Sequence, residues 1–105
     1  MATFLLITKH SPENCPMFNA KARKTYMELI EKSDALMKKH KVKLIGSAEV
    51  PNEHSGYDIY EAPSFEAFKE FGMEPAIMAM GEFLTMEVKP AMNPQEIAQM
   101  IKRMK

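Results

Sequence analysis

Two short polar segments of this chain hold the residue types most suited to chemistry. The first follows an apolar run and contains His10 and the single cysteine, Cys15. The second lies between two apolar runs and contains Glu53 and His54. Imidazole and thiolate groups are ligands for Zn²⁺, copper or Fe(II). His10, Cys15 and His54 are therefore a candidate transition-metal site with an open position, at which Glu53 could act as a fourth ligand or as a general base.

The same segments also allow chemistry without a metal. A histidine titrates near neutral pH without any perturbation, so His10 and His54 are candidate general acids or bases. Asp58 and Tyr60 share one face of the strand that follows, and they are candidate catalytic residues that could point into a cleft between subunits. In a purely structural alternative, His10 caps its turn and Cys15 is a small buried apolar residue. The spacing matches no standard metal motif, so these alternatives stay open.

The composition limits the classes of protein to consider. A chain of 105 residues is one domain. Fourteen acidic and fourteen basic residues give a net charge of zero, which argues against general binding to nucleic acid or to anionic membranes. A single cysteine cannot form an internal disulfide, and the N-terminal apolar run is too short for a signal peptide or a membrane span. We therefore expect a cytoplasmic protein.

The hydrophobic pattern predicts the elements that position the two polar segments. Strands are predicted over 3–9, 42–50, 57–62 and 82–89. Helices are predicted from Asn19 to about residue 41, over 65–71 and from Asn93 onward, with one more turn at 75–80. This order is typical of an α+β, ferredoxin-like βαββαβ domain with an antiparallel four-stranded sheet and a C-terminal helix.

This topology predicts where the candidate residues lie. The loop after the first strand and the turn between the second and third strands share one edge of the sheet, so His10 and His54 should approach each other. We expect the segment from Gly72 to Gly81 to reach the same edge, with Met73 and Glu74 near the histidines. An apolar pocket lined in part by four residues of this region should open there, and these are Phe71, Met73, Ile77 and Met80.

The strand over 42–50 alternates, which places Leu44 and Ala48 on one face and Ser47 and Glu49 on the other. The helices cover only one face of the sheet in this topology. A second copy of the chain is the simplest cover for the other face, and we therefore expect a homodimer.

The chain resembles a family of small, largely uncharacterised dimeric α/β-barrel proteins. The matching residues are His-Ser-Pro-Glu-x-Cys-Pro beginning at His10, Asn19 at the start of the long helix, Pro51-x-x-His54, and Glu-Val-Lys-Pro ending at Pro90. The resemblance implies a ferredoxin-like domain that dimerises through its sheet face. The chain is more distantly similar to antibiotic-biosynthesis-type monooxygenases and muconolactone isomerases, but no catalytic motif of theirs is present.

These observations lead to two hypotheses for the function. In the first, the edge between the two polar segments binds a small anionic or aromatic metabolite or a metal, and the protein is an oxygenase-like or isomerase-like enzyme. In the second, it is a non-catalytic module for metal handling or regulation. Lys21, Arg23 and Lys24 oppose the dipole at the start of the long helix, so they either attract an anionic ligand or form a solvated face.

Overall fold

A computed structural model of this chain describes residues 1–104. Four strands form its sheet, and they are β1 (Ala2–Lys9), β2 (Lys43–Val50), β3 (Ser55–Ala62) and β4 (Thr85–Ala91). The helices of the described residues are α1 (Ala20–His40), α2 (Phe65–Gly72), α3 (Pro75–Met78) and α4 (Pro94–Arg103). Short 3₁₀ turns lie at Pro12–Asn14, Pro51–Glu53 and Ala79–Glu82.

The strands form one sheet in the order β2-β3-β1-β4, and every neighbouring pair is antiparallel. With the helices in chain order, this is the ferredoxin-like βαββαβ arrangement followed by a C-terminal helix, so the predicted fold class is confirmed. β1 lies inside the sheet, between β3 and β4. Among residues 1–104, no helix is both long enough and apolar enough to cross a membrane.

Local signals in the sequence explain where the two main helices begin and end. The Asn19 side chain accepts a hydrogen bond from the Ala22 amide at 2.9 Å and so caps α1. At the other end, Lys41 adopts a left-handed conformation with φ of 57°, which ends α1 and turns the chain into β2. Ser64 caps α2 in the same way as Asn19 caps α1, through the Ala67 amide.

All four strands begin at a residue other than the predicted one, and the shift is largest for β3 and β4; β4 also ends later, at Ala91. β3 begins at Ser55, because its pairing with β1 extends back almost to the turn. β4 begins at Thr85, because the preceding residues from Ala79 to Glu82 form a 3₁₀ turn.

Buried aromatic residues form the core at one end of the sheet. Phe4 of β1 stacks on Phe68 of α2, with ring centres 4.8 Å apart, and Phe71 packs beside them. Val42, Ala62 and Ile77 complete this cluster, and the first two lie where a strand meets that same end. The opposite end of the sheet carries His10, and within residues 1–104 no comparable cluster of buried aromatic rings joins α1 to the sheet there. Space for a cavity therefore remains between α1 and the sheet.

A β-bulge in β2 changes which residues face α1. Leu44 pairs with Tyr60, but Gly46 pairs with Ile59, so Ile45 is an extra residue in the ladder. The predicted strict alternation of this strand is therefore wrong after Leu44. Ser47 and Glu49 lie on the same face as Leu44, because an extra residue exchanges the two faces of all the residues that follow it.

The sheet face directed away from α1 carries exposed apolar side chains. Ile45 and Ile59 are 49% and 42% exposed. α4 begins with a capping box in which Asn93 and Glu96 bond to each other's backbone amides, and it presents a further apolar stripe to solvent. The exposed residues of that stripe are Ile97, Met100, Ile101 and Met104.

Candidate functional site

Backbone hydrogen bonds bring His10 and His54 together at the edge of the sheet. The His10 amide donates to the His54 carbonyl oxygen at 3.0 Å, which continues the β1–β3 ladder one step beyond Lys9 and Ser55. His54 follows the 3₁₀ turn at Pro51–Glu53 and has a left-handed φ of 52°. His54 Nδ1 lies 3.3 Å from His10 Nε2. The predicted approach of these two histidines is confirmed.

Cys15 reaches the same place from the loop before α1. Its amide donates to the Pro12 carbonyl oxygen at 3.2 Å, and its carbonyl oxygen accepts from the amides of Phe18 and Asn19. These bonds hold the Cys15 side chain in a buried position, only 6% exposed. One potential ligand atom from each of His10, Cys15 and His54 lies within 4.8 Å of the other two.

Glu53 belongs to the same turn as His54 but not to this cluster. It is exposed, and the group of side chains within residues 1–104 that could hold a metal ion consists of the two histidines and the cysteine. The structure thus brings together three of the four residues considered for a metal. Whether they bind one stays a prediction.

The surroundings of His10 favour its neutral form. Partial burial lowers its pKa, and the neighbouring His54 lowers it further. A neutral imidazole keeps one ring nitrogen with a free lone pair, which can take a proton from a bound molecule or coordinate a metal ion.

A cavity of about 850 Å³ lies between α1 and the sheet, and the histidine pair lies on its wall. Its size is in the range of small-molecule sites, and most of its wall is apolar. The apolar wall combines α1, the strands and the segment after α2, with Leu29, Ile30, Leu6, Met86, Ile77 and Phe83 among its members. Cys15 lies on this wall with His10 and His54.

Asp58 and Tyr60 also line this cavity. The prediction that they point into a cleft between subunits is wrong, because their face of β3 is the one that packs against the helices of the same chain. The Tyr60 ring lies 5.3 Å from that of Phe68 and 6.0 Å from that of Phe71, both on α2. The pKa of Tyr60 is raised to about 12, mainly by burial and to a smaller extent by the charges of Asp58 and Tyr26.

The predicted lining from the region after α2 is correct in part. Phe71, Ile77 and Met80 line the cavity, whereas Met73 is 59% exposed and does not. Glu74 is far from the histidine pair, since its Oε1 lies 2.7 Å from His40 Nε2 at the opposite end of α1. The reason is the length of α2, since eight residues of helix rise only about 12 Å.

Several polar residues of the cavity wall were not identified as site residues from the sequence, and three of them have ionisable or hydrogen-bonding groups near Asp58. These three are Ser47, Glu49 and Tyr26. The Ser47 hydroxyl donates to Asp58 Oδ1. Burial, and then the negative charge of Asp58, raise the pKa of Glu49. Gly46 was the signal in the sequence that could have placed Ser47 and Glu49 on the cavity side, because a glycine inside a strand pattern often marks a bulge.

Two of the three basic residues at the start of α1 have structural partners. Lys21 Nζ lies 2.8 Å from Glu82 Oε1. The Arg23 guanidinium donates to the carbonyl oxygens of Pro16 and Met17 at 2.9 and 3.1 Å, and so braces the loop that carries Cys15. These contacts explain why both cations tolerate a position that opposes the helix dipole.

No protein-family model matches this chain, and a search of curated proteins finds no match to it. The site is therefore interpreted from its own chemistry.

Proposed function

We propose that this protein binds a small, mainly apolar or aromatic metabolite in the cavity between α1 and the sheet. The supporting observation is a largely apolar cavity of about 850 Å³ with two imidazoles in contact on its wall. Apolar walls exclude water from such a site, while a few polar groups orient the ligand. In this proposal His10 and His54 hold the polar end of the ligand.

The histidine pair also suits acid–base chemistry on that ligand. With His54 Nδ1 only 3.3 Å from His10 Nε2, one ring can stabilise a proton that the other accepts. An isomerisation needs only a base to remove a proton and an acid to return it. We therefore favour an isomerase-like proton transfer over an oxygenase-like reaction. A non-catalytic binding module would use the same contacts but would release its ligand unchanged.

We propose a homodimer that covers the second sheet face. The exposed Ile45 and Ile59 and the apolar stripe of α4 support it, as does the resemblance to dimeric α/β-barrel proteins. Covering these side chains would remove apolar surface from water in each copy. Sedimentation equilibrium at micromolar concentration should give twice the chain mass of 12.0 kDa, whereas a stable monomer would exclude this assembly.

A cavity-filling variant tests the ligand site. Ser33 lines the cavity from α1, and its hydroxyl bonds only to the Ile30 carbonyl oxygen of its own helix. Ser33→Phe should therefore fill the space at little cost to α1. Ala35 is exposed on the same helix, and Ala35→Phe is the matched control. With p-cresol as a neutral aromatic probe and NMR titration as readout, Ser33→Phe should weaken binding about tenfold or more, and Ala35→Phe should not change it.

The histidines are tested with variants that suit their backbone. His54 has a left-handed φ, which asparagine tolerates better than alanine, so His54→Asn is preferred. His10→Ala and His54→Asn should weaken probe binding while changing the free energy of unfolding by less than about 1 kcal/mol. If either variant instead loses several kcal/mol of stability and binds the probe normally, the histidines are structural and the proposal fails.

A further inference from the structure

We propose that His10 Nε2, His54 Nδ1 and Cys15 Sγ bind one zinc-type divalent ion, whose fourth position faces the cavity. This inference deepens the proposed binding of a ligand and rests on it only for the molecule that takes the fourth position. It replaces the proton transfer between the two free imidazoles, because a ring nitrogen that holds the ion has no lone pair left to accept a proton. Binding of the ion itself depends on the three side chains alone.

The distance between the two histidines fits a shared ion. In a tetrahedral zinc site, bond lengths of 2.0–2.1 Å put two imidazole nitrogens roughly 3.3 Å apart and their ring centres roughly 5 Å apart. The nitrogens of His10 and His54 are 3.3 Å apart and the ring centres 5.1 Å apart. A straight N–H···N bond of the same length would put the ring centres roughly 5.6 Å apart. The observed distance between the ring centres is therefore closer to that of a shared ion than to that of a straight hydrogen bond.

The cysteine lies where a third ligand is needed. Zinc–sulfur bonds of about 2.3 Å require the sulfur to lie roughly 3.6 Å from each nitrogen, and the three ligand atoms lie within 4.8 Å of one another. The ligand atoms would therefore need to approach one another by at most about 1.2 Å on binding. A cation next to a thiol also favours the thiolate, which is the form that binds metals.

The backbone around the three side chains is well held. The His10–His54 amide bond joins two of them across the ladder. The third follows a 3₁₀ turn, and Arg23 braces the two residues after it. A metal site gains affinity when its ligands are positioned before the ion binds, because less side-chain freedom is lost on binding.

Three protein ligands leave one position for another molecule. Sites with three protein ligands and one exchangeable position are typical of catalytic zinc, whereas structural zinc usually has four protein ligands. Because His10, Cys15 and His54 all line the cavity, a ligand there could offer a hydroxyl, carbonyl or carboxylate oxygen to the ion while its apolar part occupies the space below α1. The class of ligand is thus an apolar molecule with one oxygen donor.

Cobalt substitution tests this site directly on the full, tag-free chain. After removal of metals with a chelator, titration with Co²⁺ should saturate at one ion per chain. It should give the thiolate-to-cobalt charge-transfer band and the intense visible absorption of tetrahedral cobalt, both of which Zn²⁺ should abolish by displacement. Cys15→Ser should remove the charge-transfer band, and His10→Ala or His54→Asn should weaken binding about tenfold or more. His40→Ala is the matched control, because His40 lies at the other end of α1 beside Glu74.

The outcomes separate this inference from the proposed function. Absence of saturable Co²⁺ and Zn²⁺ binding at micromolar concentration would overturn the metal site, as would stoichiometric binding that survives both Cys15→Ser and His54→Asn. Binding of p-cresol to the metal-free chain would then leave the ligand cavity standing. Stoichiometric cobalt with the expected spectrum, but without any probe binding, would support the metal site and exclude the cavity proposal.

Discussion

Gly56 provides a sharp test of how the cavity wall is built. It lies on β3 opposite Glu49 of β2 and Thr8 of β1. A methyl group added at Gly56 would lie 2.7 Å from Thr8 Oγ1 and 2.9 and 3.0 Å from the two Glu49 carboxylate oxygens. All three distances are well inside the 3.4 Å at which ordinary contact begins. Gly56→Ala should therefore displace two polar side chains of the cavity wall.

The expected cost is that of moving Thr8 Oγ1, which belongs to a β-branched side chain with few rotamers; the Glu49 carboxylate is the end of a flexible side chain and moves more easily. Forcing an extra methyl group into such a position typically costs about 1–3 kcal/mol. Part of this is offset, because replacing glycine by alanine reduces the freedom of the unfolded chain and stabilises by about 0.4–1 kcal/mol. Gly46→Ala carries the same offset without the clash, since nothing lies within 4 Å of its added methyl group and its φ is not positive. Gly46 lies beside Ile59 on the sheet face proposed to meet a second copy, so the difference between the two variants isolates the overpacking when both are measured as monomers.

Urea unfolding at one fixed protein concentration measures this difference. Gly56→Ala should be about 1–3 kcal/mol less stable than Gly46→Ala. In a Glu49→Ala background the cost of Gly56→Ala should fall, because only the Thr8 clash then remains. Equal stabilities of the two glycine variants would refute the packing described here. An unchanged cost in the Glu49→Ala background would show that the clash comes from Thr8 alone.

Two further predictions concern ionisable groups. Spectrophotometric titration of the tyrosines should show one of them ionising near pH 12, because burial and the charge of Asp58 raise the pKa of Tyr60 to about 12. Tyr60→Phe should remove that step. A tyrosine that still ionises near pH 12 in this variant would contradict the prediction. Hydrogen bonds from Lys39 and His40 lower the pKa of Glu74 in the folded protein. The ionised Glu74 therefore stabilises the fold at any pH above the pKa that Glu74 has in the unfolded chain. This stabilisation is lost as the pH falls through the lower pKa of the folded state. Glu74→Gln should therefore lower the free energy of unfolding at neutral pH and make it fall less steeply as the pH is lowered. Urea unfolding from neutral to acid pH measures both effects. Parallel pH profiles of the variant and the wild type would contradict this prediction.

The parts of the site that follow from topology were predictable from the sequence. Periodicity identified the order of strands and helices, and that order alone places the loop after β1 beside the turn after β2. The contact between His10 and His54 required no knowledge of side-chain geometry. The position of Cys15 also followed, because it belongs to the short connection between β1 and α1.

The face on which each residue of β2 lies was not predictable in the same way, because it depends on the pairing register of the strand. Strict alternation assigned Ser47 and Glu49 to the wrong face, because a single extra residue at Ile45 reverses the two faces of the rest of β2. A glycine at position 46 is compatible with either a bulge or a regular strand. The choice between them depends on how β2 pairs with β3, which is a long-range contact.

The division of the molecule into a packed end and an open end follows from the short α2. This helix places Phe68 and Phe71 against Phe4 and then stops after eight residues. The stacked rings of Phe4 and Phe68 therefore lie at the end where β1 begins, and the cavity extends from the His10 end as far as Phe71 and Ile77, which belong to the core. Changes to the cavity wall at the His10 end, away from these shared residues, need not disturb the core. A chain of this size can in this way keep a large cavity without giving up the packing that holds α1 and α2 on the sheet.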